Sequence, residues 1–494
     1  MSEKKTEARF IVASNRLPFV LARGPDEEWT IEAGSGGLVT ALLPVLRNRG
    51  GLWIGWPGTW EEVPHLHELM GRVGKELGCT FRPVPIDQDL YHDYYLGYSN
   101  ETIWPLFHDL QSRCVFEPHF WQAYMEVNRR FADEIARRVR PTDFVWVHDY
   151  QLMMVGEQLR KRGVTSRIGF FLHIPFPAPD IFMKLPERQT LLAGMLQYDL
   201  IGFQTQRDRR NFIQCIRLLT KNIRVRAVGS LHRIWYEERE VDVGVFPISI
   251  DYRSFHRRSE EPAVREWADE AKAALPGRAL MLGLDRLDYT KGIPERLRAF
   301  RHLLRSRPET HSRVNLIQVV VPSRAEIAGY DELRTEIEQL VGAINGEFTR
   351  RGWVPVHYMY RSLPSLDLLG YYRAADVGVI TPLKDGMNLV AKEYCACNAD
   401  GKGVLVLSQF AGVSAQLGRH SLVVNPYDVE QTSEALYQAW IMPVVERRER
   451  MRRMRRVIRR QDIFWWVNAF VRAAIDRHLE DFPVLEEFIP EMMD

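Results

Sequence analysis

A chain of 494 residues is too long for one hydrophobic core and implies about two to four domains. Hydrophobic content of 46% and charged content of 26% fit a soluble globular protein, and 66 Lys+Arg against 64 Asp+Glu leave a formal charge of +2, so no global field draws the chain to nucleic acid or a membrane. No apolar run is long enough to span a bilayer, the N-terminal apolar run is too short for a signal peptide, and the five scattered cysteines fit reduced thiols in a cytoplasmic enzyme.

In chain order, FIVAS (10–14), GLWIGW (51–56), FVWVH (144–148), RIGFFLHI (167–174) and DLIGFQT (199–205) predict strands separated by amphipathic stretches. GSGGLVTALLPVL (34–46) sets Gly34, Gly36 and Gly37 before a predicted helix; such glycines let backbone approach a ligand, and a plain turn explains them equally well. YQLMMVGEQLRKRG predicts a helix stopped at Gly163. The Pro-containing FPISID (246–251) marks a join, and ALMLGL (279–284), NLIQVVV (315–321), VHYMY (356–360), VGVIT (377–381) and GVLVLS (403–408) predict a second strand set. The pattern is that of two α/β halves, each a parallel sheet flanked by helices. The charged segment from Thr220 to Arg239 yields no assignment. ERRERMRRMRRVIRRQD (446–462) carries Met451, Met454 and Val457 at helical spacing and reads as a solvated helix face rather than a nucleic-acid stripe. The aromatic stretch from Asp462 predicts a helix that either crosses back onto the first domain or packs on its own.

GLDRLDYTKG (283–292) is the most informative stretch. A strand runs into a turn carrying Arg286 and Lys291, and Ile293-Pro294 opens a helix. Arg, Lys and a helix N-terminus together suit a diphosphate, although two solvated cations on a surface loop fit as well. Asp149 in VHDYQL and His173 in FFLHIPFP end strand-like runs, where ligands bind in open α/β sheets. In TPLKDGMNLVAKEY (381–394), Asp385 lies at a turn before a helix, as a cap or a sugar ligand, with Glu393 about two helical turns inward as a ribose ligand. No HExxH, Ser-His-Asp order or nucleophile elbow is present, and DQD (87–89) follows no apolar strand. No metal and no cofactor is therefore expected.

SNRLPF, GGLVTAL, GLWIGWPG, SNETIWPLFH, WVHDYQL, GFFLHIPFP, DRLDYTKG, PSR, TPLKDGMNLVAKEY and LSQFAG occur in one order over most of the chain. In this the sequence resembles the trehalose-6-phosphate synthase family of retaining glycosyltransferases. The resemblance implies a GT-B fold, two Rossmann-like parallel-sheet domains facing across a cleft: an acceptor domain over 1–248, a nucleotide-sugar donor domain over 249–461, and a C-terminal helical segment over 462–494. It implies transfer of glucose from a nucleoside diphosphate glucose, UDP-glucose first among donors, to glucose 6-phosphate, giving α,α-trehalose 6-phosphate.

Carried over residue by residue, the resemblance assigns the diphosphate to Arg286 and Lys291 and the ribose to Glu393. The transferred glucose falls to His173, Asp385, Met387, Asn388 and Leu389, with Gly36 and Gly37 nearby. Arg16, Tyr95 and Arg324 would take the acceptor phosphate, with Trp104 beside it and Asp149 and Trp56 lining the sugar site. His173, Arg286, Lys291 and Asp385 are the expected catalytic set. Lys384 stands where many members have Arg. A homo-oligomer without nucleic-acid or membrane partners is the expected assembly. Two alternatives remain open: a glycosyltransferase with another phosphorylated acceptor (a glucosylglycerol phosphate or pseudo-disaccharide phosphate synthase), and a non-catalytic sugar-phosphate-binding regulatory subunit.

Overall fold

Short apolar runs alternating with amphipathic helices build two sheets in the computed structural model, which describes residues 9–23, 29–33, 42, 46, 51–323 and 329–475. Gly34, Gly36, Gly37 and Arg324 lie outside the described residues, as does the C-terminal segment beyond Ile475. The chain divides into two units, with one crossing between Pro247 and Ile248 and a second between Trp465 and Trp466.

The first unit contains β1 (Phe10–Arg16), β2 (Phe19–Arg23), β3 (Trp29–Ala33), β4 (Gly51–Trp56), β5 (Thr80–Pro83), β6 (Phe144–His148), β7 (Arg167–Phe171), β8 (Leu200–Phe203), β9 (Ile223–Val228), β10 (Leu231–Tyr236) and β11 (Arg239–Val245). Nine of them form one sheet in the order β5-β4-β1-β6-β7-β8-β11-β10-β9, and β2 and β3 pair as a separate hairpin. From β5 to β11 the sheet is parallel. Strands β1, β6, β7 and β8 are buried along most of their length, which is why they read as apolar runs.

The second unit holds β12 (Ala279–Arg286), β13 (Val314–Val321), β14 (Val356–Tyr360), β15 (Val377–Ile380), β16 (Val404–Ser408) and β17 (Leu422–Val424) in the order β14-β13-β12-β15-β16-β17, all parallel. Helix Ile293–Ser306 covers one face because Ile293, Leu297, Phe300 and Leu304 fall on one side and are buried. Fully buried Arg296 lies on the same helix. It donates to Asp285 at 2.6 Å, Gln318 at 3.2 Å and Thr381 at 3.1 Å, tying β12, β13 and the end of β15 to the helix.

Two elements differ from the sequence reading, and a third takes one of the two alternatives it left open. The unassigned segment from Thr220 forms the antiparallel ribbon β9–β10 at the sheet edge, where Arg224 lies over Trp235 at 4.1 Å; an edge strand carries charge because its outer side faces water. In helix Val444–Arg460 the buried stripe is Met451, Met454 and Ile458, and Val457 is only half-buried. The aromatic stretch forms helix Ile463–Ile475. From Trp466 on it belongs to the first unit, with Trp466 at 5.1 Å and Phe470 at 4.4 Å from Trp146 on β6.

Candidate active site

Counted along its own parallel strands, the second sheet runs 3-2-1-4-5-6 and the first 3-2-1-4-5-6-7, and in each the reversal between strands 1 and 4 opens a crevice at their carboxyl ends. In the second unit that reversal falls between β12 and β15. β12 ends on Arg286, which is exposed and forms no ion pair among the described residues. Asp288 then fixes the turn, its carboxylate accepting from the Thr290 amide at 2.9 Å and hydroxyl at 2.8 Å. Gly292 follows at φ +62°, and a Cβ there would meet the Thr381 carbonyl oxygen at 2.4 Å, so only glycine lets the turn lie against the end of β15. Helix Ile293–Ser306 begins at once, with Pro294 in its first turn.

Lys291, only 8% exposed, donates from Nζ to Asp385 Oδ2 at 2.6 Å. The Asp385 loop is pinned by main-chain bonds, its amide donating to Phe410 at 3.3 Å and its carbonyl accepting from Gly412 at 3.0 Å. Asn388 donates to the same Asp385 oxygen at 3.1 Å while its own side-chain oxygen accepts from the Ala391 amide at 3.2 Å. Asn388, not Asp385, is thus the cap of helix Leu389–Cys397, and Asp385 is left for the lysine. Glu393 lies about one turn into that helix, nearer its start than the sequence reading placed it, and accepts from the Tyr372 hydroxyl at 2.7 Å. Burial raises the Glu393 pKa, and the hydrogen bond from Tyr372 pulls it back.

In the first unit the reversal falls between β1 and β6. Arg16 ends β1 with its guanidinium over the Trp56 ring at 5.1 Å. From Trp56 the rings continue to Tyr91 at 4.6 Å and on to Tyr95 at 4.9 Å, and the buried Trp56 Nε1 has no partner among the described residues. Tyr95 sits on His92–Ile103, a stretch wound with i→i+5 bonds, a winding found mostly at functional sites. Trp104 follows it and packs on His108 and Tyr150 at 4.3 and 5.6 Å.

β6 ends on His148, and Asp149 follows at φ 75° and ψ 169°, a conformation that only glycine adopts without strain. Its amide donates to Phe171 at 2.8 Å, and its carboxylate accepts from the His173 amide at 3.1 Å. His148 Nδ1 and His173 Nε2 are 3.2 Å apart and share one proton between them. Burial lowers His173 to about 3 and holds His148 well below the ordinary range, so both imidazoles are neutral at pH 7.

The structure therefore brings Lys291, Asp385 and Asn388 into direct contact, with Met387 and Leu389 beside them in the chain. It lines up Arg16, Trp56 and Tyr95, and it joins Asp149 to His173. Trp104 lies against Tyr150, and Glu393 against Tyr372. The sequence reading missed His148, although it stands in VHDYQL beside Asp149. It also missed Tyr91, Tyr372 and the Phe410–Gly412 brace; the LSQFAG motif was the one signal for the brace.

Two Rossmann-type sheets, each with polar groups gathered at its reversal, place the molecule among the two-domain α/β glycosyltransferases. The family model described as glycosyltransferase family 20 matches residues 8–476. The chain belongs to this family, that of the trehalose-6-phosphate synthases. It is 42% identical over 470 residues to the trehalose-6-phosphate synthase of Mycolicibacterium paratuberculosis, covering 94% of each chain. Identity to the Mycobacterium leprae synthase is 41% over 480 residues, 96% of each. Among solved structures, the UDP-forming α,α-trehalose-phosphate synthase of Burkholderia xenovorans in complex with glucose-6-phosphate superposes with a TM-score of 0.83 at 33% identity, covering 94% of this chain and 100% of that one. An E. coli trehalose-6-phosphate structure bound with UDP-2-fluoro glucose gives 0.84 at 36%, covering 94% and 99%. The chain is a glycosyltransferase, and no helix among its described residues is long and apolar enough to cross a membrane.

Proposed function

We propose that this enzyme transfers glucose, with retention, from UDP-glucose to glucose 6-phosphate, giving α,α-trehalose 6-phosphate and UDP. The observation that carries the reading is the Lys291–Asp385 pair at the reversal of the second sheet, beside Arg286 and a helix mouth. Lys291 has three N–H donors and spends one on Asp385, which leaves two for phosphate oxygens. Arg286 adds a planar fork and the helix start the positive end of its dipole, so the departing diphosphate meets positive charge already in place. Asp385, paired with the lysine at 2.6 Å, accepts from hydroxyls of the transferred glucose, and Glu393 from the ribose. The neutral His173 takes a sugar hydroxyl without adding a cation beside the forming oxocarbenium.

Retention without a carboxylate nucleophile follows if the leaving phosphate oxygen takes the proton of the acceptor hydroxyl on the same face. The fixed cations then supply the charge stabilisation, and no metal is required in this proposal. On the acceptor side Arg16 and Tyr95 take the phosphate, with Trp56 beside the sugar; the likeness to a glucose-6-phosphate complex supports that acceptor. The test mixes the protein with UDP-glucose and either glucose 6-phosphate or glycerol 3-phosphate, then follows UDP release and identifies the sugar by NMR. α,α-Trehalose 6-phosphate is the expected product. Faster transfer to glycerol 3-phosphate, or no UDP release, would overturn the assignment. A panel of UDP-, GDP- and ADP-glucose at fixed acceptor tests the base.

A further inference from the structure

The arginine-rich run read from sequence as a solvated face lines a groove of about 900 Å³. Arg448, Arg452, Arg455, Arg456 and Arg459 of helix Val444–Arg460 form one wall, each with another three or four residues away, and Arg253 of helix Tyr252–Ser259 joins from across it. Like charges at that spacing repel by about 0.2–0.5 kcal/mol per pair, so a face built this way is held against its own field unless an anion sits on it. The ends of a helix dipole account for Arg459, in the last turn, but not for Arg448 three turns earlier or for Arg253 on another helix.

Carboxylates do not neutralise the wall. Arg452 pairs with Glu449 at 2.8 Å, but Arg253, Arg448, Arg456 and Arg459 form no ion pair among the described residues. Arg455 is aimed by neutral groups: it donates to the Asn398 and Ala399 carbonyls at 3.2 and 3.0 Å and to the Tyr252 hydroxyl at 3.1 Å. Its charge is therefore positioned but uncompensated. Among the described residues the only acid lining the groove, Asp400, is exposed and within 3.6 Å of Lys402.

We infer that this groove binds a small soluble ligand carrying two or more phosphate groups, at a site separate from Arg286 and Lys291. Its walls lie close along the chain to the two places, among the described residues, where it passes between the units: Tyr252 is close after Ile248, and Arg459 is close before Trp465. The two passages are themselves joined, the Ile463 amide donating to the Ile250 carbonyl at 3.0 Å. A ligand bridging Arg253 and Arg459 tightens that join.

Calorimetry with inorganic tripolyphosphate, on the full chain saturated with UDP and glucose 6-phosphate, tests the site. One ligand per chain is expected, bound at least tenfold tighter than orthophosphate, with at least tenfold loss of affinity in Arg456→Ser/Arg459→Ser and, separately, in Arg253→Ser. Hydrogen exchange at the Ile463 amide should slow at least threefold when tripolyphosphate is bound. Unchanged affinity in both variants, or no saturable binding once UDP is present, would overturn the site. Unchanged exchange at Ile463 would overturn its link to the chain passages.

Discussion

The two reversal points share one strand order and differ in chemistry. In the second unit the crevice is charged: Lys291 and Asp385 pair at 2.6 Å, with Arg286 at the strand end. In the first it is largely aromatic, with Trp56, Tyr91 and Tyr95 in line, two neutral imidazoles sharing a proton, and the Asp149 carboxylate taken up by the His173 amide. Arg16 is the cation at its edge. The fold supplies the position, and the residue types at the strand ends decide what is done there. A leaving diphosphate needs preset positive charge, whereas a sugar needs flat surfaces and uncharged donors and acceptors.

The largest effect expected is on the charged side. Arg286→Ala or Lys291→Ala should lower kcat by on the order of a hundredfold or more with the circular dichroism unchanged, as for loss of an electrostatic stabiliser. Near-normal turnover in both would erase the distinction between the two crevices. Gly292→Ala comes next. With φ +62° and 2.4 Å to the Thr381 oxygen, the turn must shift, costing about 1–3 kcal/mol in a denaturant melt and about tenfold in activity as Lys291 moves.

On the aromatic side, Asp149→Gly separates strain from function. Relief of the Asp149 backbone should offset the lost bond to the His173 amide, leaving Tm within a few degrees while activity falls at least tenfold. A large drop in Tm would show that the residue serves the fold instead.

The most gradual effect, spread over the range from pH 6.5 to 4, is the pH dependence of stability. His173 has a folded pKa of about 3, below its unfolded value, so its contribution is full above about pH 6.5 and is lost as pH falls from there toward 3. In that window the unfolded chain binds the extra proton. His173→Gln should flatten the acid loss of stability by up to about 1.4 kcal/mol per pH unit, measured by denaturant melts between pH 6.5 and 4. An unchanged slope would mean that this imidazole is not held neutral by burial.

Most of this fold was legible because buried parallel strands are apolar runs. The edge ribbon β9–β10 was not, because its alternating charges serve an outer surface, and β17 is too short to stand out. The site was legible as residue types at strand ends: Arg286, Lys291, Asp149, His173. Pairings were not. Ninety-four residues separate Lys291 from Asp385, and no local pattern says that Asn388 takes the cap and frees the aspartate. Nor does sequence show the positive φ of Asp149 or that His148 reaches His173, since both depend on how β6 and β7 lie side by side.

The claim beneath this account is that protein cations, not a divalent ion, meet the charge of the leaving diphosphate. The most direct measurement is UDP release from UDP-glucose and glucose 6-phosphate by enzyme stripped with EDTA and assayed in excess chelator. Full turnover in chelator is predicted; turnover that collapses there and returns on adding magnesium or manganese would contradict it.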